Sequence, residues 1–90
     1  MASVKELLLN SLKKLEEAHL KEFQWHLTKD HECIAKYEME NADRLKTVDM
    51  MVLCFGPDES VMITVGMLRK MNHNHLAVEL ENKHKKEHKK

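Results

Sequence analysis

The 90-residue sequence holds only two glycines and one proline. Domains built from many short strands depend on tight turns, and Gly and Pro supply most of the backbone conformations those turns require. With so few of them, the composition favours helices joined by short links. Net charge is also missing: 15 Lys+Arg stand against 15 Asp+Glu, with seven His taken as neutral. A domain that captures a polyanion mainly by neutralising phosphates carries a basic excess, which these totals do not contain. Long apolar runs are absent too. The start, MASVKELLLNSLKK, has a stretch of three leucines with charge close by on both sides. That is too short for the apolar segment of a secretory leader and far below the roughly 18 residues of a membrane span. Two cysteines, Cys33 and Cys54, lie 21 residues apart in no C-x-x-C pattern. Together these features predict a cytoplasmic chain whose thiols stay reduced.

What is present points to an all-α domain. Leu, Glu, Lys, Met and Ala, all good helix formers, dominate the sequence. Hydrophobic residues at 42% are too many for a disordered chain, even with 33% charged. The length allows one domain, which buries roughly 60–65% of its unfolded surface.

Periodicity divides the chain into six helical segments. Ser3-Val4-Lys5-Glu6 has the form of a capping box. Val4, Leu8, Leu12 and Leu15, with Leu7 beside them, form an apolar stripe. A second helix follows Glu16-Glu17, acids suited to a helix N-terminus, and turns Leu20, Phe23 and Leu27 inward with Trp25 to one side. Between Thr28 and Lys36 the pattern stops, and the segment reads as a loop anchored by Ile34. Met39, Ala42 and Leu45 suggest a short third helix. Val48, Met51, Val52 and Phe55 mark a fourth, ended by Gly56-Pro57, where Gly caps one helix and Pro starts the next. Asp58 and Glu59 open the fifth, with Val61, Val65 and Leu68 inside and Met71 beside its last turn. After Asn72-His73-Asn74, Leu76, Ala77 and Leu80 define a sixth. The expected domain covers residues 1–82, and residues 83–90 form a basic tail, frayed or disordered.

The order of these pieces resembles one family. SLKKLEEAHLKEFQWHL is similar to the first two helices of a pyrin domain, whose usual run is L-x-x-L-x-x-x-x-L-K-x-F-K-x-x-L. Ile34 with Tyr37-Glu38-Met39-Glu40-Asn41-Ala42-Asp43-Arg44 resembles its I-P-x-x-x-L-E-x-A-D-R segment. Phe55-Gly56-Pro57-Asp58-Glu59-Ser60-Val61 and Leu68-Arg69-Lys70-Met71-Asn72, with Leu76-Ala77, resemble the family's helix junction and its closing segment. One family feature is replaced: Ala35 stands where a Pro normally follows the isoleucine, so the loop before the third helix lacks a fixed φ.

The resemblance implies a six-helix antiparallel bundle of death-domain type with a short third helix after a long loop. It also implies homotypic pyrin-pyrin binding, assembly of inflammasome filaments, and recruitment of a pyrin-domain adaptor. Such domains usually open NOD-like receptor sensors of innate immunity, with no enzymatic activity and no cofactor. In that family an acidic surface meets a basic one, and stacking head to tail produces an open polymer. Positions matching the acidic side are Glu6, Asp43 and Asp49. Those assigned to the basic side are Lys21, Lys36, Arg44 and Lys13, the last at a position where relatives also carry acids. Arg44 has a second reading, local pairing. Trp25, beside a core stripe, is a candidate aromatic anchor for a partner.

Other constellations carry less. His26, His31, Cys33 and Cys54 are metal-ligand types, but their spacing matches no common zinc site. Ser11, Ser60 and Cys33 have no oriented base and acid around them, and no catalytic residue is expected. Seven Met suggest an adaptable groove, but Met39, Met51 and Met71 fall on or beside apolar stripes and read as core filling. Two alternatives to an assembly module remain: a pyrin-only regulator that blocks filaments, and a helical domain whose basic tail contacts nucleic acid or anionic membrane. The zero net charge divides unevenly. Residues 83–90 hold five Lys and one Glu, a surplus of four, so the other 82 residues hold 10 basic against 14 acidic groups. The folded portion is acidic.

Overall fold

The structure is a computed structural model that describes residues 4–88. Six α-helices follow in order: α1 (Val4–Lys13), α2 (Glu17–Asp30), α3 (Lys36–Glu40), α4 (Arg44–Phe55), α5 (Pro57–Lys70) and α6 (Asn74–His88). No strand occurs among the described residues. α5 packs against α1, α2, α4 and α6, α1 also meets α4 and α6, and α3 rests on α2. The architecture is the six-helix bundle expected of the death-domain superfamily.

The core comes from the predicted stripes. Leu7, Leu8, Leu12, Leu15, Phe23, Leu27, Val48, Met51, Val61, Val65, Leu68, Leu76, Ala77 and Leu80 are all buried in one cluster. Ile34 and Met39 join it from the loop and α3. Ser60 and Thr64, buried on α5, donate to the carbonyls one turn back, Ser60 Oγ to Gly56 at 2.7 Å and Thr64 Oγ1 to Ser60 at 2.8 Å. Their hydroxyls therefore enter the core already paired. Ser3, the expected N-terminal cap, lies outside the described residues.

Several boundaries differ from the sequence reading, each for a physical reason. α2 continues to Asp30 instead of yielding to a loop at Thr28. Thr28 Oγ1 donates to the Trp25 carbonyl at 3.0 Å, the Lys29 ammonium lies 4.7 Å over the Trp25 ring, and Asp30 pairs with Lys70 of α5 at 3.3 Å. Polar side-chain contacts thus carry the helix past its last apolar residue. Leu45 belongs to α4, not α3, and is half exposed. The Asp43 carboxylate accepts the Lys46 amide at 2.8 Å, starting a new helix whose phase turns Thr47, Val48 and Met51 inward and Leu45 out. Helical backbone also continues into the basic run, because α6 reaches His88. His84 Nε2 lies 3.2 Å from Asp58 Oδ1, which ties that part of α6 to the first turn of α5.

The cysteines also depart from expectation. Cys33, in the α2–α3 loop, and Cys54, near the end of α4, form a disulfide, so the reduced thiols inferred from spacing are corrected. The helices bring the two Cα atoms to 6.0 Å, within disulfide range, although neither local sequence announces a partner. In the chain-entropy account, closing a loop of this length stabilises the fold by about 3 kcal/mol.

Two polar links hold the helices in register. Arg44, at the start of α4, donates from Nε to the Leu12 carbonyl at 2.9 Å and from Nη2 to the Leu15 carbonyl at 2.6 Å. The guanidinium thus lies at the carbonyl end of α1, bonding one acceptor in its last turn, Leu12, and one just beyond it, Leu15. Gln24, buried on α2, donates from Nε2 to the Ala42 carbonyl at 3.1 Å and to Thr47 Oγ1 at 2.9 Å. Thr47 in turn donates to the Asp43 carbonyl at 2.7 Å. Elsewhere on the bundle, Lys14 hydrogen-bonds Glu79 and holds that carboxyl below the usual carboxylate range.

Helix junctions use positive φ where the chain must reverse. Gly56, with φ +87°, ends α4 and begins α5, and the pair bends by 119° there. After α5, Asn72 adopts φ 69°. His73 N–H bonds the Leu68 carbonyl at 2.7 Å and Asn72 N–H the Arg69 carbonyl at 3.0 Å, the two bonds of a Schellman closure.

The two glycines give opposite expectations for the same substitution. A Cβ at either position meets nothing within 4 Å. Gly56→Ala therefore incurs only the backbone penalty of φ +87°, ψ 163°, a region essentially confined to glycine, and should destabilise by about 1–3 kcal/mol. Gly66→Ala, on the exposed side of α5, should stabilise by about 1 kcal/mol. Urea unfolding of the two variants checks both signs. By the same measurement Arg44→Ala should cost about 2 kcal/mol through its lost charged hydrogen bonds, while Lys13→Ala, exposed at the end of α1, should stay within about 0.5 kcal/mol.

Candidate partner-binding surfaces

Between α2 and α3 lies an open, mostly apolar groove of about 180 Å³. It is lined by the apolar side chains of Trp25 and Met39, the polar Gln24 and Thr28, and the charged Lys21, Lys36 and Glu40. Each arrives through a simple local rule. Lys21, Trp25 and Thr28 follow at four and three residues on α2, one side of a helix. Lys36 and Met39 are three apart on α3, and Met39 is buried while Lys36 is exposed. The Gln24 bonds to Ala42 and Thr47 fix the floor of the groove relative to α4.

Trp25 is 49% exposed, a large area of indole presented to solvent. Its orientation is set on two sides. His26 meets the ring edge-on at 5.1 Å, and Lys29 sits above it at 4.7 Å. An aromatic held in this way contributes contact area with little freedom left to lose on binding. The structure thus brings Lys21, Lys36 and Trp25 of the sequence reading into one site.

The acidic positions are arranged differently. Asp49, on α4, pairs with Lys5 of α1 at 3.0 Å. Glu6 follows Lys5 on α1, a helix that packs on α4. Four residues to either side of Asp49 on α4 are Leu45 and Leu53, 52% and 85% exposed. The α4 stripe is therefore apolar, acidic, apolar. Asp43 caps α4 and borders a shallow depression with Tyr37, Glu38, Asn41 and Lys46. Lys13 is exposed at the end of α1, and Arg44 has its guanidinium turned onto the Leu12 and Leu15 carbonyls. Local pairing, the second reading of Arg44, is the one the geometry realises.

Leu53 is hard to read as a surface residue from sequence, because a Leu in a helical stretch reads as core. The available signal is its phase: Leu53 falls off the Val48, Met51, Val52, Phe55 stripe, whereas Leu45, three residues before Val48, has core spacing and gives no such signal. Gln24 gives no sequence signal, since its partners come from Ala42 and Thr47.

The remaining candidates are dispersed. His26 faces Glu22 at 3.7 Å, the His31 ring stacks edge-on with Phe55 at 4.9 Å, and Cys33 and Cys54 are joined to each other. Among the described residues no three His, Cys, Asp or Glu side chains gather as a metal-ligand set. Ser11 is buried, and Ser60 Oγ is engaged with the Gly56 carbonyl.

No curated protein and no solved structure matches the chain significantly. The family model described as PAAD/DAPIN/Pyrin domain matches residues 7–78. That span runs from the first buried leucine of α1 into α6, most of the chain and part or all of each of the six helices. The chain belongs to the pyrin domain family, and is a homotypic interaction module of the death-domain superfamily.

Proposed function

We propose that this domain assembles head to tail with other pyrin domains, as the cytoplasmic signalling end of a NOD-like receptor sensor, and recruits a pyrin-domain adaptor into inflammasome filaments. One observation carries the reading. A groove edged by Lys21 and Lys36 and walled by Trp25 lies on α2 and α3, while a different pair of helices carries an acid flanked by two exposed leucines. The first is basic with an apolar interior, and the second is acidic with apolar projections. Their charges are opposite, and leucine side chains suit an apolar interior. Because they use different patches of one chain, pairing them leaves an unsatisfied copy of each at the ends, and the assembly grows. Catalysis has no part in this scheme, and the chemistry is association alone.

Magnitudes explain why several contacts are needed. A single exposed ion pair contributes about 0.2–1 kcal/mol. The energetic centre of the proposed contact is the indole wall receiving aliphatic side chains, with Lys21, Lys36, Glu6 and Asp49 choosing the partner and the register. Asp49 enters such a contact by exchanging Lys5 for a lysine of the neighbouring copy. The exchange keeps its charge compensated.

Charge reversal tests the arrangement. Lys21→Glu and Asp49→Arg should each raise the concentration at which the domain polymerises by about tenfold or more. Mixed together, the two variants should copolymerise in alternation, because the acid introduced on α2 of one meets the base introduced on α4 of the other, and the unaltered Lys21 and Asp49 meet at the next contact. Raising the salt concentration should oppose polymerisation of the wild type. Light scattering and sedimentation read all three. Undiminished co-assembly of both variants with a pyrin-domain adaptor would sink the proposal.

A further inference from the structure

The α3 side of the groove is weakly held by noncovalent contacts. α3 is five residues long, has no side-chain N-cap and buries only Met39. A helix this short does not stand by itself. Ala35, just before it, has φ −72° and ψ 133°, a backbone that proline would fix and alanine leaves free. Within the preceding loop the Ile34 amide reaches the His31 carbonyl only at 3.5 Å. In the loop itself three anchors remain: buried Ile34, the His31 ring against Phe55, and the Cys33–Cys54 disulfide. The last of these is covalent. It fastens the loop three residues before Lys36 to the end of α4. Cys33 is exposed and Cys54 half-buried, so a thiol in solution can reach the bond from the Cys33 side.

We propose that the Cys33–Cys54 pair is a redox latch on the α2–α3 groove. Oxidised, the bond holds the loop and α3 so that Lys36, Met39 and Glu40 face Lys21 and Trp25. Reduced, the loop and α3 sample other positions, and the groove loses its second wall. The inference rests on the proposed role of this groove in assembly. In a reducing compartment disulfides are characteristically transient and redox-sensing, and exposed ones belong to the labile class. Oxidation is then the event that sets the partner surface.

The chemistry balances as dithiol exchange. A thiolate of a dithiol reductant attacks Cys33 Sγ, breaking the Sγ–Sγ bond and releasing Cys54 as a thiolate that takes up a proton. The second thiol of the reductant then displaces Cys33 Sγ, which leaves protonated. The reductant ends as a disulfide, having supplied two electrons and two protons. In the forward direction hydrogen peroxide oxidises one cysteine to a sulfenic acid with release of water. The other thiol condenses with it, forming the bond and releasing a second water.

The test uses the wild-type domain, reduced or peroxide-oxidised, with Cys33→Ser and Cys54→Ser as variants that cannot latch. Mass spectrometry of the monomer under non-reducing conditions should show loss of two hydrogens on oxidation, in a peptide pair linking Cys33 to Cys54. Hydrogen exchange, measured below the assembly concentration, should be faster in residues 36–40 of the reduced form and of both variants. The oxidised form should polymerise at a concentration lower by on the order of tenfold, and both variants should follow the reduced form whatever the redox state. Equal exchange in the two states, or equal polymerisation despite a difference in exchange, would overturn the latch. If exchange differs but neither form polymerises, the latch on α3 stands, and the assembly role of the groove is what fails.

Discussion

Among the described residues, no helix of this domain is more than marginal without the others. They run from five to 15 residues, and isolated helices below about 12–15 residues are marginal in water. Each is therefore helical because its apolar stripe is shared with a common centre. α5 is the element on which that sharing turns, since it packs against α1, α2, α4 and α6. This constraint fixes the inward positions and leaves the outward ones open to variation. A family can then keep one core and change its partners by altering surface residues alone. α3, which meets chiefly α2, is the exception, and it is also the helix that lines the groove.

Residues whose causes lie nearby in the chain are legible in the sequence. The α1 stripe from Leu7 to Leu12, the Gly56-Pro57 junction and the Val61, Val65, Leu68 face of α5 follow from periodicity and the rules for helix ends. Features whose partners are distant in sequence are not. Arg44 bonds carbonyls 29 and 32 residues away, and Gln24 closes on Ala42 and Thr47 at 18 and 23. Cys33 and Cys54 meet at a separation of 21. The end of α2 is hidden for another reason. Its last turn is held by a cation over an indole and an ion pair to α5, forces that leave no apolar period. In the candidate site, Lys21, Lys36 and Trp25 are individually visible through resemblance and helical phase. Their convergence on one groove requires the packing of α3 on α2.

Charge in this domain is divided between holding the fold and presenting a surface. Lys14 with Glu79, Lys70 with Asp30 and Arg69 with Glu81 each join two separate segments of the chain. Arg44 lies across the end of α1, and Asp43 opens α4. The lysines at the groove, Lys21 and Lys36, are exposed beside Trp25. Near-neutral total charge therefore conceals strongly local fields, which a partner meets one patch at a time. Such a surface discriminates by pattern more than by strength.

The disulfide also has a mechanical meaning. Cys54 directly follows Leu53, the most exposed large apolar side chain of the acidic α4 stripe, and Cys33 lies in the loop leading into the groove. In the proposed assembly one bond thus connects a surface that receives a neighbour with a surface that is received by one. In a growing polymer these are successive joints of the same chain of contacts. If a neighbour seated in the groove shifts the loop, that displacement reaches the end of α4, and linkage requires the converse to hold with the same free energy. A linear assembly built from such subunits carries conformational information along its axis through its covalent bonds as well as through its interfaces.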